Sequence, residues 1–183
     1  MTVLEGTAVR LRPLRPAEYP TVMAWYQDPE AVAPHDRYLV DTLEGLARAV
    51  ESAEGDPGSV APRFAIERRT DGTLVGLLGY YRAHPVLEYL DLWYLIGDRT
   101  ARGQGLGREA VERLVDHLFR TTSVERIGAA IDAQNEASCR LVDRLGFRLE
   151  GTLRSALFHH GRWHDVRVYG VTRPEWDGRA PRA

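Results

Sequence analysis

The chain has 183 residues, 44% of them hydrophobic and 27% charged, which suits one domain with a full-sized core. Its formal net charge is −2, and its basic residues are scattered arginines with no lysine among them, which excludes the clustered positive excess of a nucleic-acid binder. One cysteine, Cys139, leaves no intramolecular disulfide framework and no multi-thiolate zinc site.

In chain order, "TAVRLRPL" alternates apolar and basic residues and reads as a strand, ended by Pro13 and Pro16. "RPAEYPTVMAWYQDPEAV" reads as a helix, and "DTLEGLARAVESAEG" as a second, with Gly55 as its stop. "RFAIERR" and "TLVGLLGYYRA" flank Asp71-Gly72, a hairpin signal. "LEYLDLWYLIG" is a strand apolar enough to be central. The next helix follows "RGQGLG" and carries the stripe Ala110, Val111, Leu114, Val115, Leu118 and Phe119. "VERIGAAID" reads as a buried strand, and "NEASCRLVDRLGF" as a short helix stopped by Gly146. A hairpin turning near His160-Gly161 closes the chain, and "RPEWDGRAPRA" reads as a tail. The expectation is one α/β domain over residues 1–176 around a mixed, mostly antiparallel sheet flanked by helices, with 177–183 as a flexible end. No apolar run is long enough for a membrane span and no signal peptide is visible, so a cytoplasmic setting without a membrane partner is expected.

The glycines of "RGQGLG", Arg102 to Gly107, stand at a helix entrance. Backbone N–H groups are unpaired there and the helix dipole favours an anion. Glycine lets the main chain approach a phosphate closely, and Arg102 and Arg108 add fixed charge. A dinucleotide fingerprint fails because position 108 is Arg, and a nucleotide P-loop fails for lack of its lysine. The bland alternative is an ordinary glycine turn.

The spacing Arg/Gln-x-x-Gly-x-Gly/Ala, met by Arg102, Gly105 and Gly107, resembles the coenzyme A pyrophosphate loop of the GNAT acetyltransferase superfamily. "NEASCRLVDRLGF" resembles a second segment of that superfamily at Asn135, Ser138, Leu141, Arg144, Leu145, Gly146 and Phe147. The likeness to the ribosomal-protein N-acetyltransferase-like branch runs through nearly the whole chain and is weakest between Ala33 and Pro62. It implies a GNAT-like fold, with acetyl-CoA as cosubstrate and an acetyl group passed directly to a primary amine. It implies a cofactor site at Leu95, Ile96, Gly97, Arg102, Gly103, Gln104, Gly105, Leu106, Gly107, Arg108, Asn135 and Ser138, with a backbone N–H in the 95–97 stretch as oxyanion donor. Ser138 takes the place of the group that assists the leaving thiolate, where other branches use a tyrosine. Glu88, Asp91 and Asp165 are the candidate general bases, and no one of them is singled out. Trp25, Tyr26 and Trp93, with Tyr94 beside them, are candidates for lining an acceptor pocket, with core packing as the alternative.

The acceptor is expected to be a protein N-terminus or a small amine such as an antibiotic or polyamine. The acids of "HDRYLVDTLEGLARAVESAEGD" favour a cationic acceptor, although a solvated helix face would look the same. A homodimer fits the family's habit. His159, His160 and His164 read as exposed or pocket-lining residues of a hairpin turn, so no metal is expected, and Cys139 reads as a small buried hydrophobe. The competing class is a non-catalytic acyl-CoA-binding or regulatory domain on the same scaffold.

Overall fold

The structure is a computed structural model that describes residues 3–28, 42–53, 56–84 and 86–178. Its elements are β1 (Leu4–Glu5), β2 (Val9–Arg12), a 3₁₀ turn (Pro16–Glu18), α1 (Tyr19–Tyr26), α2 (Leu43–Ser52), β3 (Phe64–Arg68), β4 (Leu74–Arg82), β5 (Leu90–Ile96), a 3₁₀ turn (Arg99–Ala101), α3 (Leu106–Thr121), β6 (Arg126–Asp132), α4 (Glu136–Arg144), β7 (Arg148–His159), β8 (Arg162–Thr172) and α5 (Arg173–Asp177). Among the described residues the strands form one eight-stranded sheet in the order β1-β2-β3-β4-β5-β6-β8-β7. Every neighbouring pair is antiparallel except β5 and β6.

Pleating divides the core between the two faces of this sheet. One face holds the larger cluster, where the α3 stripe Ala110, Val111, Leu114, Val115 and Leu118 meets Val9, Leu11, Leu92, Ile127, Ala129 and Ile131. α4 adds Cys139 and Val142 to it. The other face holds Val22, Met23, Leu46, Ala65 and Leu77, with Trp25, Tyr26 and Trp93 packed against them. The β2 residues Val9 and Leu11 point into the first cluster, so Arg12 must point away from it. Arg12 is nonetheless buried, donating from Nε to Glu67 at 2.5 Å and from Nη2 to Glu18 at 2.5 Å, so the charge is paired on both sides.

Three expectations change. The first strand is preceded by a two-residue strand, β1, too short to leave a periodic pattern. The start of the supposed tail is α5, whose Thr172 and Glu175 form a capping box and whose Trp176 is buried, donating from Nε1 to Asp116 Oδ1 at 2.7 Å. The closing hairpin turns where expected, with His160 and Gly161 at φ 49° and 75°, the positive pair that a two-residue turn requires. Yet His159 and His164 beside that turn are buried, which removes the exposed alternative for these two, while His160 is exposed. The stop assigned to Gly55 lies outside the described residues. No described helix is long and apolar enough to cross a membrane.

Candidate active site

The parallel pair β5–β6 creates the site. The two strands share register only at Leu90↔Ile127 and Asp91↔Gly128. β5 then continues to Ile96 paired with β4 alone, and β6 continues to Asp132 paired with β8 alone. In a sheet, alternate backbone groups of a strand face each neighbour. From Leu92 onward, the β5 groups aimed toward β6 therefore face a gap. A cavity of about 670 Å³ lies at this opening, bounded by the end of β5, the loop before α3 and the first turn of α4.

Nearly all the residues that the sequence assigned to a cofactor line it: Leu95, Ile96, Arg102, Gly103, Gln104, Gly105, Leu106, Gly107, Arg108, Asn135 and Ser138. Gly97 is not among the lining residues. Its α-carbon lies against the Trp25 ring so closely that a Cβ would overlap the indole, and this contact is what it contributes. The loop glycines divide by geometry. Gly103 (φ 76°) and Gly105 (φ 81°, the N-cap of α3) need the left-handed region. Gly107 is buried in the first turn of α3, with Ile96 and Leu141 at ordinary contact distance from a would-be Cβ. Arg102 reaches back to donate from Nε to the Ile96 carbonyl at 3.0 Å, which ties the loop to β5.

Asn135 caps α4, its Oδ1 accepting from the Ser138 N–H at 3.1 Å. Ser138 is thereby held in the first turn, 8% exposed, with Oγ 2.7 Å from the Tyr94 hydroxyl. Tyr94, which the sequence suggested only as a possible acceptor-pocket residue, is thereby a functional candidate on the cofactor side. The signal was present, because pleating turns Tyr94 to the opposite face from Trp93, toward α4. Desolvation pushes its phenol up to about 12, offset in part by the Ser138 hydrogen bond, so it stays protonated. Arg140 and Arg144 of α4 also border the cavity; the sequence marked Arg144 only as a position of the second family segment and did not mark Arg140. Arg140 is paired with Glu136 at 2.8 Å.

The remaining candidates lie elsewhere. Asp91 is on the opposite face of the sheet from Ser138, at the fork where β5 and β6 part, over Gly128 and beside Arg126. Glu88 is exposed on the segment before β5. Asp165 is exposed and accepts from the Ser155 N–H at 2.9 Å, bridging the irregularity in β7. Trp25, Tyr26 and Trp93 are on Asp91's side of the sheet, packed on the second core cluster. Among the described residues the Tyr26 hydroxyl and Trp93 Nε1 are buried there without a hydrogen-bond partner. Ala130 is exposed although its strand is internal to the sheet, so part of this second face is open. Cofactor and acceptor candidates thus sit on opposite faces of a sheet that is split between them.

A split parallel pair with a glycine-entered helix on one side and an open face on the other gives an α/β scaffold with an anion-accepting loop beside an exposed strand edge. The comparisons give the particular family: the model of the acetyltransferase (GNAT) domain matches residues 8–148, and the chain belongs to that family of acetyl-CoA-dependent N-acetyltransferases. The uncharacterized N-acetyltransferase YoaA of Bacillus subtilis (strain 168) is 26% identical over 94% of this chain and 97% of its own. In fold, the chain is similar to the spermidine N-acetyltransferase from Vibrio cholerae in complex with CoA and spermine, at 18% identity and TM-score 0.81 over 94% of this chain and 100% of that one. It is also similar to RimL, a ribosomal L7/L12 alpha-N-protein acetyltransferase in complex with coenzyme A, at 21% identity and TM-score 0.76 over 93% and 98%.

Proposed function

We propose that acetyl-CoA occupies the gap between β5 and β6, and that a primary amine reaches its thioester from the Asp91 face. The single observation that carries this is the split itself: two parallel strands separate after Asp91 and Gly128, and the separated edge meets the 102–108 loop and Ser138 in one cavity. The pyrophosphate would lie on the main-chain amides of that loop, with Arg102 and Arg108 supplying charge. The pantetheine arm would take up the unpaired edge of β5, with an amide of the 95–97 stretch serving the tetrahedral oxyanion.

Collapse of the tetrahedral intermediate expels the thiolate. A phenol near 12 beside a thiol of ordinary pKa near ~8.5 makes full proton transfer from Tyr94 uphill by about 5 kcal/mol. Tyr94 therefore works by hydrogen bonding: its O–H donates to Ser138 Oγ, and the Ser138 O–H donates to the sulfur. On the other face, Asp91 anchors the incoming ammonium and takes part in its deprotonation. Glu88 is set aside because it is exposed outside the fork, and Asp165 because its carboxylate holds Ser155. An α-amino group, with pKa near ~8, needs less help than a lysine-like amine near ~10.4, so the pH at which turnover rises reports the acceptor class.

Thiol release from acetyl-CoA, measured over polyamines, aminoglycosides and short peptides with free N-termini, tests the proposal. Turnover is expected with one class. Ser138→Ala is expected to keep coenzyme A affinity and lose about 10²-fold in kcat, with a smaller loss for Tyr94→Phe. Coenzyme A binding without turnover on any amine would favour the non-catalytic reading, and an unchanged kcat in Ser138→Ala would remove the relay.

A further inference from the structure

A second polar centre lies on the face of the sheet away from Ser138. Ile127, Ala129 and Ile131 of β6 point into the α3–α4 cluster, so Asp132, next in the strand, points to the other side. There it meets His159 at the end of β7 and His164 on β8, and all three are more than nine-tenths buried. His159 Nε2 is 2.5 Å from Asp132 Oδ2, and His164 Nδ1 is 3.2 Å from the same oxygen. The two imidazoles stack with centroids 3.6 Å apart. Among the described residues this is the one group of three metal-ligating side chains, its ligand atoms within 4.8 Å of one another.

We propose that Asp132, His159 and His164 are the protein ligands of a divalent transition-metal ion of the zinc type. The polar accounting points to a ligand. His164 Nδ1 is buried 3.2 Å from Asp132 Oδ2, yet among the described residues it has no partner aligned for a hydrogen bond. Asp132 is already oriented, with Oδ1 accepting from the Gln134 N–H at 2.8 Å and Oδ2 presented to both rings. Ligands about 2.0–2.1 Å from a tetrahedral ion stand about 3.3–3.4 Å apart. The His164–Asp132 separation of 3.2 Å meets that spacing as it stands, and the His159–Asp132 pair must open by less than an ångström. Two imidazoles with one carboxylate select a borderline d-block ion over magnesium or calcium, which take oxygen ligands. Three protein ligands leave the fourth position to water.

One contact opposes the ion. Arg162 donates from Nε to His164 Nε2 at 3.1 Å, which places that ring's proton on Nδ1, the atom that would ligate. Metal binding moves the proton to Nε2 and displaces Arg162. The arginine is on the surface, so the ion trades one part-buried hydrogen bond for coordination. The consequence is mechanical: the ion fastens the tip of the β7–β8 hairpin to the end of β6.

The test uses the full chain stripped with a chelator, titrated calorimetrically with zinc and by visible absorption with cobalt. One ion per chain is expected, with the absorption of tetrahedral cobalt. His159→Gln and His164→Gln should each weaken zinc binding at least about 100-fold, while His160→Gln should not change it. Arg162→Ala frees Nε2 to carry the proton and should tighten binding about tenfold. X-ray absorption on the unaltered zinc-loaded protein should give two imidazole nitrogens in an otherwise oxygen shell, whether or not the variants fold. No uptake by the unaltered chain, uptake that survives loss of either ligand histidine, looser binding in Arg162→Ala, or a shell with a different imidazole count would each overturn the site.

Discussion

Replacing Gly105 by Ala isolates one backbone torsion. Gly105 sits at φ 81°, and a Cβ built on it meets nothing within 4 Å, so the change adds no clash. What it adds is the left-handed penalty of an L-residue, roughly 1–2 kcal/mol. The residues from Arg102 to Gly105 are exposed, so the free loop can relax to another conformation and recover that energy. A ligand that needs the original loop must then restore it, and its apparent affinity falls by the fraction of protein that stays competent. The expected loss in coenzyme A affinity is about 5–30-fold. Gly107→Ala is the control two residues on. It lies in the helix, its Cβ would be 3.4 Å from Ile96 Cγ1, and alanine favours a helix over glycine by roughly 0.5–1 kcal/mol. Calorimetric titration with coenzyme A, alongside thermal melts, measures both variants. The reasoning fails if Gly105→Ala binds as the parent does, because the loop's conformation then carries no binding energy. It fails equally if Gly107→Ala loses as much as Gly105→Ala.

Glu67→Ala removes one of the two carboxylates that pair the buried Arg12, and should cost about 3 kcal/mol in a denaturant titration; a loss near zero would mean that Glu18 alone compensates. Burial works against the Glu18 charge, but hydrogen bonds from Arg12 and from the Arg15 N–H outweigh it and hold its carboxyl below the usual range. A depressed folded pKa gives stability that is present above the unfolded value of ~4.3 and is lost as pH falls through the folded one. The parent should therefore lose stability more steeply below that pH than Glu18→Gln, as acid melts would register; parallel curves would remove Glu18 from the acid transition. Gly97→Ala forces the Trp25 ring to move and should cost roughly 1–3 kcal/mol, with a shift in tryptophan emission; an unshifted spectrum would show that the contact is slack.

What the sequence disclosed was local. Asp71-Gly72 marks a hairpin because its turn chemistry is carried by adjacent residues, and the α3 stripe is visible because its period is contained in one helix. β1 was lost because two residues have no period. α5 was lost although its signal was there: Thr172 and Glu175 have capping-box spacing, with a proline at the first turn, and a tail assignment overlooked them. The cofactor loop was legible for the same reason as the hairpin, since a helix entrance and its glycines are contiguous. Asn135 and Ser138 were legible too, and the cap that competed with a functional role for Asn135 is how it fixes Ser138.

The parting of β5 from β6 left no such trace. It is a relation between Leu90–Ile96 and Arg126–Asp132, strands separated by a whole helix, and neither announces where its partner ends. Three other readings were incomplete, one for want of attention to a single strand's pleat and two for want of the alignment between strands. Tyr94 was grouped with Trp93, its neighbour in sequence, although the pleat puts the two on opposite faces. The three carboxylate candidates could not be ranked until Asp91 was seen at the fork and Asp165 at the β7 irregularity. The histidines read as exposed or pocket-lining residues because a turn lay between them. The register of β7 on β8 sets His159 against Arg162 and His164 against Leu157, and that of β8 on β6 brings Asp132 to Val166. Two register offsets, each invisible in composition or period, gather the buried triad. Side chains whose chemistry depends on one element can be read from the sequence, whereas those whose chemistry depends on how two strands are aligned require the sheet.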